Sequence, residues 1–251
     1  MVPGPGWGLL IYQEGDALIT DIPKDYDPSN YDRPSVTVDV VIFSLVKEDL
    51  QVLLIKRKFP PFADMWAIPG GFVRMTESLE EAAIRELAEE TGVTDVYMEQ
   101  LYTFGRPDRD PRTRVITIAY FALVPHDVIR HRPGDDASET GWFSMFDLPE
   151  LAFDHREILE YALTRLRYKL EYTAVGFRLL PDVFTLSELQ QAYEMILGEK
   201  LDKRNFRRKI LAADILEETG KKKRDGEGRP AKLYNYKEDA VAEVKTRRLF
   251  P

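Results

Sequence analysis

A stretch of 23 residues, over positions 71–93, constrains this chain more than any other part of it. It reads GFVRMTESLEEAAIRELAEETGV and fits the spacing G-x5-E-x7-R-E-U-x-E-E-x-G-U, where U is aliphatic, at every specified position. Ser78 and Glu81 form an S-x-x-E capping box, and Gly92 stands where a glycine ends a helix. We therefore predict a helix over residues 79–91.

The predicted helix has an apolar and an acidic side. Helical spacing places on the apolar side Ile84, Leu87, Ala88 and Thr91. It places on roughly the opposite side Glu86, Glu89 and Glu90. Carboxylates on one face repel each other unless a cation lies between them, and Mg²⁺ prefers hard oxygen ligands and bridges phosphates. We predict Mg²⁺, or Mn²⁺, at this face.

The turn before the helix is the second part of the predicted site. Gly70 and Gly71 belong to a PGG turn, in which glycine permits backbone N–H groups to approach a pyrophosphate. A solvated acidic helix would not require Gly71 and Glu77 at fixed positions upstream. Arg85 has two interpretations: it pairs with Glu77 and holds the loop on the helix, or it is an i,i+4 partner of Glu89.

The segments around this motif predict strands and one further helix. Residues 35–46 and 51–58 are apolar, β-branched runs separated by KEDL, which predicts a hairpin. Strands are also predicted over 93–106 and 115–124. A helix over 154–172 is predicted to begin with a D-x-x-E capping box. Strands mixed with helices indicate an α/β fold.

Arginines near these strands suit an anionic ligand. Arg57 ends the second strand, and the loop at 106–114 is rich in arginine. The predicted anion-binding rim consists of Arg106, Arg109, Arg112 and Arg114. A solvated charged loop explains these four residues equally well. Trp66 is predicted to be a core residue, with stacking on a base as the alternative.

Composition limits the class of protein. A length of 251 residues suits one large domain or two small ones, and the chain has no cysteine, which favours a reducing cytoplasm. We find no signal-peptide pattern and no apolar run of membrane-spanning length. The net charge is −14 over residues 1–198 and +6 over residues 199–251, which gives the chain its −8. An acidic body with a basic C-terminal part predicts two domains with different partners.

The C-terminal part has the order of elements of a winged helix. A strand is predicted over 172–181, followed by a capping box at Thr185 and Glu188 and a helix that stops at Gly198. Asp202 is predicted to cap a second helix. Two helices joined by a tight turn make a helix-turn-helix, and the strand, basic tip and strand that follow make a wing.

Positive charge on both elements predicts binding to double-stranded DNA. The predicted groove contacts on the second helix are Lys203, Arg204, Asn205, Arg207 and Arg208. The predicted backbone or minor-groove contacts at the wing are Lys221, Lys222, Lys223, Arg224 and Arg229. The alternative is a solvated basic hairpin on a protein–protein module.

The 23-residue pattern resembles the signature of the Nudix hydrolases. The resemblance implies an α/β/α sandwich in which Glu86, Glu89 and Glu90 hold divalent metals and activate a water that attacks a nucleoside diphosphate derivative. It favours the pairing of Arg85 with Glu77, and it makes these five residues the candidate catalytic set. It also implies an extra acidic residue in the loop at 131–145, for which the candidates are Asp136 and Glu139. The remaining ligand-binding candidates are Arg57, Gly70, Gly71, Arg106, Arg112 and Arg114.

The span from about Ser35 to Lys237 is similar to the Nudix-related transcriptional regulators of the NrtR group, through PSVTVDVVIF, FDHREIL, FTLSELQ and LDKRNFRRKI. The resemblance implies a homodimer that binds a palindromic operator and senses ADP-ribose or a related product of NAD turnover. Many members have a damaged box, whereas this one is intact, so hydrolysis is also expected. The alternatives are a plain Nudix pyrophosphohydrolase with a C-terminal docking module, and a silent regulator that senses a sugar or nucleotide.

The resemblance predicts four parts of the chain. Residues 1–34 form an N-terminal arm, 35–153 the Nudix domain, 154–171 a linker helix and 172–251 a winged helix-turn-helix domain.

Overall fold

The computed structural model describes residues 27–92, 96–124, 137–172, 179–224 and 230–237. Residues 1–33 form a compact unit of their own, and residues 34–251 form a second one. The described part of the first unit contains a short 3-10 helix at Pro28–Asn30. Everything below concerns the second unit.

Seven strands form one mixed sheet. They are β1 (Ser35–Val46), β2 (Asp49–Arg57), β3 (Trp66–Ala67), β4 (Gly70–Phe72), β5 (Tyr97–Phe104), β6 (Val115–Leu123) and β7 (Ala137–Ser144). The order is β3-β2-β1-β6-β5, with β4 paired to β1 and β7 paired to β2. β1 and β6 are parallel, whereas β1 and β2 form the predicted antiparallel hairpin. The strands predicted over 93–106 and 115–124 are present as β5 and β6.

Helices α1 (Leu79–Thr91) and α2 (His155–Tyr172) cover the two faces of this sheet. Successive residues of a strand point to opposite faces. Val40 and Ile42 of β1 therefore pack in the cluster that contains Leu87 of α1, and Val41 packs in the cluster that contains Leu159 of α2. The α/β/α sandwich is thus confirmed.

Helix α1 has the predicted ends. The Ser78 hydroxyl accepts a hydrogen bond from the Glu81 N–H, and the Glu81 carboxylate accepts one of 2.7 Å from the Ser78 N–H. Gly92 ends the helix with φ 72°, which is the left-handed conformation that glycine adopts at no steric cost.

We expect Ser78→Ala to lower the free energy of unfolding by about 1 kcal/mol, because the cap is removed from an exposed residue without loss of packing. The measurement is urea unfolding of the full chain. Ser78→Thr keeps an oxygen that accepts from the Glu81 N–H, so it should cost clearly less. Equal losses in the two variants would show that the cap does not stabilise α1.

The second half of the unit contains the predicted winged helix. Its elements are β8 (Phe184–Thr185), α3 (Leu186–Leu197), α4 (Lys203–Ala212), β9 (Leu216–Lys223) and β10 (Ala231–Tyr236). The strands pair in the order β8-β10-β9. Thr185 caps α3 with Glu188, and Gly198 ends it with φ 76°, as predicted. Asp202 caps α4, also as predicted.

Helix α2 connects the sandwich to the winged helix. Leu159, Leu166 and Leu170 are buried on its apolar face. The apolar cluster on this side of the sheet continues into α3 and α4. The Arg167 Nε also donates a hydrogen bond of 2.9 Å to the Ile196 carbonyl of α3.

Two expectations at the ends of α2 are wrong. The Asp154 carboxylate does not make the predicted capping box, because it accepts two hydrogen bonds from Arg109, of 2.7 and 3.0 Å. The strand predicted over 172–181 is absent where the structure describes it: Tyr172 ends α2, and residues 179–180 are not in a strand. Residues 173–178 lie outside the described part.

Within the described residues, no helix combines the length and the apolar character needed to cross a membrane.

Candidate functional site

Two acidic residues of α1 lie on its buried side. Glu86 and Glu90 are only 7% and 6% exposed, whereas the side chain of Glu89 is 48% exposed. The predicted apolar stripe is wrong at Ile84, which is 43% exposed. The buried side of α1 consists of Ala82, Ala83, Glu86, Leu87 and Glu90. Two carboxylates therefore share the face that packs toward β1 and β4, where a solvated acidic helix would place none.

Arg85 joins the loop to this acidic cluster. Its Nη2 and Nε donate to the two carboxylate oxygens of Glu77, at 2.7 and 3.0 Å, and its Nη1 donates to Glu86 Oε1 at 2.6 Å. Glu89 is farther away, at 3.5 Å. The structure thus shows Arg85 holding the loop on the helix through Glu77. The hydrogen bond from Arg85 lowers the pKa of Glu77 to about 2.

The PGG turn approaches the Glu86 carboxylate closely. A Cβ atom at Gly71 would lie 2.3 Å from Glu86 Oε1, and one at Gly70 would lie 2.3 Å from the Val38 carbonyl oxygen. Only glycine fits at either position without displacing its neighbour. The buried carboxylate of Glu86 therefore lies directly against the loop backbone.

The carboxylates of α1 suit a divalent cation in donor chemistry. Burial raises the pKa of Glu86, so its anion is not fully compensated by Arg85, and a cation beside it would favour the charged form. In the arrangement seen here the Glu86 carboxylate is paired with Arg85, and the Arg74 guanidinium lies 3.7 Å from the Glu89 carboxylate. Within the described residues no three acidic or histidine side chains are grouped closely enough to hold a metal. To hold a cation together, the three glutamates would have to leave the positions seen here.

A cavity of about 220 Å³ opens beside the PGG turn. The predicted ligand-binding residues that line it are Arg57, Gly70, Gly71 and Arg112. Its apolar walls include Phe59, Phe72 and Phe153. The cavity combines cationic and aromatic groups, which is suitable for a ligand that has both phosphates and a base.

The two guanidinium groups flank Phe153. That of Arg57 lies 4.8 Å from the ring centroid and is fixed by a 3.0 Å hydrogen bond to the Pro61 carbonyl. That of Arg112 lies 5.8 Å from the same ring, and a bidentate pair with Asp110 holds it there. The hydrogen bond from Arg112 lowers the pKa of Asp110.

Beneath the cavity lies a buried polar network centred on Arg109. Its Nη2 is 2.7 Å from Asp154 and 3.6 Å from Asp39, and its side chain is 5% exposed. The Thr117 hydroxyl donates to Asp39 at 2.7 Å. Arg109 lines the cavity but is not part of a solvated charged loop, because its guanidinium lies between two buried carboxylates. It joins β1 to the start of α2.

The other predicted ligand-binding residues lie away from the cavity lining. Arg106 pairs with Asp108 and Glu157 on the surface, and Arg114 donates to the Arg106 carbonyl. Glu139 is exposed on β7, 3.7 Å from Lys56. Asp136 lies outside the described residues. The candidates thus divide into a group at the cavity and a group at the surface.

Sequence reasoning missed several cavity residues. They are Asp39, Phe59, Phe72, Phe153 and His155. One signal was available: Asp39 is a lone acid within a run of valines and isoleucines, and such a residue in a buried strand needs a partner. Trp66, predicted to be in the core, is half-buried with its ring 4.5 Å from that of Phe143.

Helix α4 presents cations to the solvent. Phe206 and Ile210 are buried, and the Phe206 ring lies 5.4 Å from that of Tyr193 on α3. Arg204 and Arg208 are exposed on the other side, and Lys203 is exposed at the start of the helix. Arg208 donates to the Asn205 side chain at 2.7 Å, so these two predicted groove contacts are adjacent.

The wing places further cations near α4. Lys221, Lys222 and Arg224 are exposed, whereas Lys223 pairs with Glu188 at 2.6 Å. Arg229 lies outside the described residues. A cavity of about 420 Å³ between α3, α4 and β10 is lined by Lys203, Arg207 and Lys232, the last of which sequence reasoning missed.

Comparison with known proteins gives two family matches. Residues 35–162 match the NUDIX domain, and residues 176–236 match the NrtR DNA-binding winged helix domain. The chain is 40% identical to the ADPR responsive transcriptional repressor NtrR of Acinetobacter baylyi over 215 residues, which are 84% of this chain and 85% of that protein.

Two of the similar solved structures are of one protein. The crystal structure of Shewanella oneidensis NrtR complexed with a 27mer DNA superposes with a TM-score of 0.76 at 38% identity, over 86% of this chain and 99% of that one. The NUDIX domain of the same protein complexed with ADP ribose has a TM-score of 0.51 at 38% identity, over 57% of this chain and 94% of that one.

Proposed function

This chain belongs to the NrtR family of Nudix-related regulators, and from that premise we propose that it is a DNA-binding transcriptional repressor whose Nudix domain binds ADP-ribose. The relatives support both halves of the proposal: one repressor is named for its response to ADPR, and one structure contains DNA. The observation that carries it is the presence, in one compact unit, of the exposed cationic side of α4 and the guanidinium-lined cavity at the PGG turn.

The proposal assigns a role to each part of the chain. Residues 35–153 are the ligand-binding Nudix domain, 154–171 the linker helix and 172–251 the DNA-binding domain, with 1–34 as an N-terminal arm. The working form is a homodimer on a palindromic operator in the cytoplasm, at genes of NAD metabolism. Two copies of α4 then meet two half-sites one helical turn of DNA apart.

The test is fluorescence anisotropy of the full chain with duplex DNA from upstream of its own gene and neighbouring genes. We expect the logarithm of the binding constant to fall linearly with the logarithm of the salt concentration. We also expect the affinity for DNA to change when ADP-ribose is added. A chain that bound no duplex at low salt would be a Nudix protein with a docking module. A chain that bound DNA but ignored ADP-ribose would sense another ligand, such as a sugar.

A second candidate function is hydrolysis of the same ligand with Mg²⁺ or Mn²⁺. The burial of Glu86 against Gly71, in an intact acidic motif, favours it. A divalent ion bound at Glu86, Glu89 and Glu90 would supply Lewis-acid chemistry to a diphosphate. The chain's own contribution is to hold the glutamates through Arg85 and to present the loop backbone.

We expect Glu86→Gln to lower Mg²⁺-dependent hydrolysis of ADP-ribose by at least about tenfold, because one anionic oxygen donor is lost beside the phosphate. The measurement is release of AMP, with operator binding measured in parallel and expected to be unchanged. Glu160→Gln, on the exposed side of α2, is the matched control. Equal turnover in the wild type and Glu86→Gln would refute the metal assignment. No turnover in the wild type would make the chain a sensor alone.

A further inference from the structure

Asp39 and His155 line the cavity together, and neither side chain is explained by the diphosphate chemistry above. Asp39 is 7% exposed and His155 is 4% exposed. One oxygen of Asp39, Oδ2, accepts from the Thr117 hydroxyl and faces Arg109. The described residues provide no hydrogen bond to the other oxygen, Oδ1, which lies 4.0 Å from His155 Nε2.

The protonation of the imidazole follows from its other nitrogen. His155 Nδ1 accepts a 2.8 Å hydrogen bond from the Ile68 N–H, so Nδ1 carries no proton. In the neutral ring the proton is therefore on Nε2, which is a donor. Burial lowers the pKa of His155, which agrees with a neutral ring.

A donor and an acceptor thus face the cavity at a distance too long for a direct hydrogen bond. An oxygen atom placed about 2.7 Å from Oδ1 and about 2.9 Å from Nε2 bridges them at an angle of about 90°. Such an atom must donate to the carboxylate and accept from the imidazole. A hydroxyl group does both, whereas a phosphate oxygen or a carbonyl can only accept.

The local charge favours the same choice. The network contains two carboxylates, Asp39 and Asp154, and one guanidinium, Arg109, beside a neutral His155. The network itself has no excess positive charge, so a phosphate is better placed beside Arg57 and Arg112, the two cavity-lining arginines next to Phe153. The cavity lining thus contains two arginines that suit a phosphate, and an Asp39–His155 pair that suits a hydroxyl group.

We propose that Asp39 Oδ1 and His155 Nε2 form a subsite that receives a sugar hydroxyl of the bound nucleotide. This rests on the proposed binding of ADP-ribose and adds to it the group that positions a ribose. The hydroxyl belongs either to the terminal ribose or to the 2′ position of the adenosine ribose. Ligands that lack one of these groups distinguish the two sources.

The test is calorimetric titration of the full-length wild type with ADP-ribose, ADP and 2′-deoxy-ADP, repeated with Asp39→Asn. We expect the wild type to prefer one hydroxyl-bearing ligand over its truncated partner by roughly tenfold or more, since a hydrogen bond to a charged group is lost. Asp39→Asn should bring that ratio close to one. If Asp39→Asn abolishes the preference for ADP-ribose over ADP, the subsite binds the terminal ribose. If it abolishes the preference for ADP over 2′-deoxy-ADP, the subsite binds the adenosine ribose.

Asp110→Asn is the matched control. Asp110 is a buried acid of the same cavity, but both of its oxygens are occupied by Arg112, so the change should affect all three ligands by the same factor. The wild-type series does not depend on the folding of any variant. If ADP-ribose binds the wild type but both wild-type ratios are close to one, the subsite is overturned and the proposed function stands. If ADP-ribose does not bind at all, the proposed ligand itself fails.

Discussion

Replacing Arg109 by methionine is expected to lower the free energy of unfolding by about 3–5 kcal/mol, which makes it the most destabilising single change considered for the Nudix domain. Its guanidinium is the cation between Asp39 and Asp154, whose side chains are 9% and 3% exposed. Methionine fills a similar volume but leaves both carboxylates buried without a counter-charge. Chemical unfolding of the two proteins, followed by circular dichroism, measures the difference.

The same loop provides the control for this prediction. Arg106 also pairs with two acids, but its side chain is 60% exposed, and those of Asp108 and Glu157 are 83% and 55% exposed. Exposed ion pairs contribute at most about 1 kcal/mol, so Arg106→Met should change stability little. A loss below about 1 kcal/mol in Arg109→Met as well would mean that water compensates the two carboxylates, contrary to the burial seen here.

The second large effect concerns DNA. Arg204→Ala combined with Arg208→Ala is expected to weaken operator binding by about 2–6 kcal/mol, at about 1–3 kcal/mol for each arginine that contacts a base edge. Both side chains are exposed on the side of α4 opposite Phe206 and Ile210, and Arg208 is held by Asn205. Anisotropy titrations with the operator and with an unrelated duplex give the affinity for each, and the ratio of the two affinities measures the preference for the operator.

The ratio separates two roles for these arginines. If they read bases, the preference for the operator falls; if they contact only phosphates, both duplexes lose affinity equally and the salt dependence becomes shallower. Arg156→Ala with Arg165→Ala removes the same charge from α2 and should leave binding nearly unchanged. If the control variant lost as much DNA affinity, the net charge of the chain would explain the loss, and no direct contact of Arg204 and Arg208 with DNA would be needed.

Local signals predicted the helices well. The ends of α1 and α3 were predictable because a capping box and a terminal glycine act within a few residues of sequence. The capping box at Asp154 failed because Arg109, which lies 45 residues earlier, competes for the same carboxylate. No local pattern reports a partner that far away.

Burial and the cavity could not be predicted in the same way. Helical spacing places Glu86 and Glu90 on one face of α1, but only the position of β4 shows that this face is the buried one. The cavity lining comes from β1, β2, the PGG turn, the loop at 109–112 and the start of α2. Its composition follows from how the strands meet, so a residue such as His155 stood out only in the fold.

Helix α2 touches both functional parts of the molecule. Its first residue, His155, accepts from the Ile68 N–H at the cavity, and Arg167 near its end donates to the Ile196 carbonyl of α3. An α-helix of 18 residues is about 27 Å long. In a rigid helix of that length, a tilt of about 3° about the first turn would displace the last turn by about 1.4 Å, half the length of a hydrogen bond. In the proposed dimer, a displacement of that size would change the spacing of the two copies of α4 on DNA.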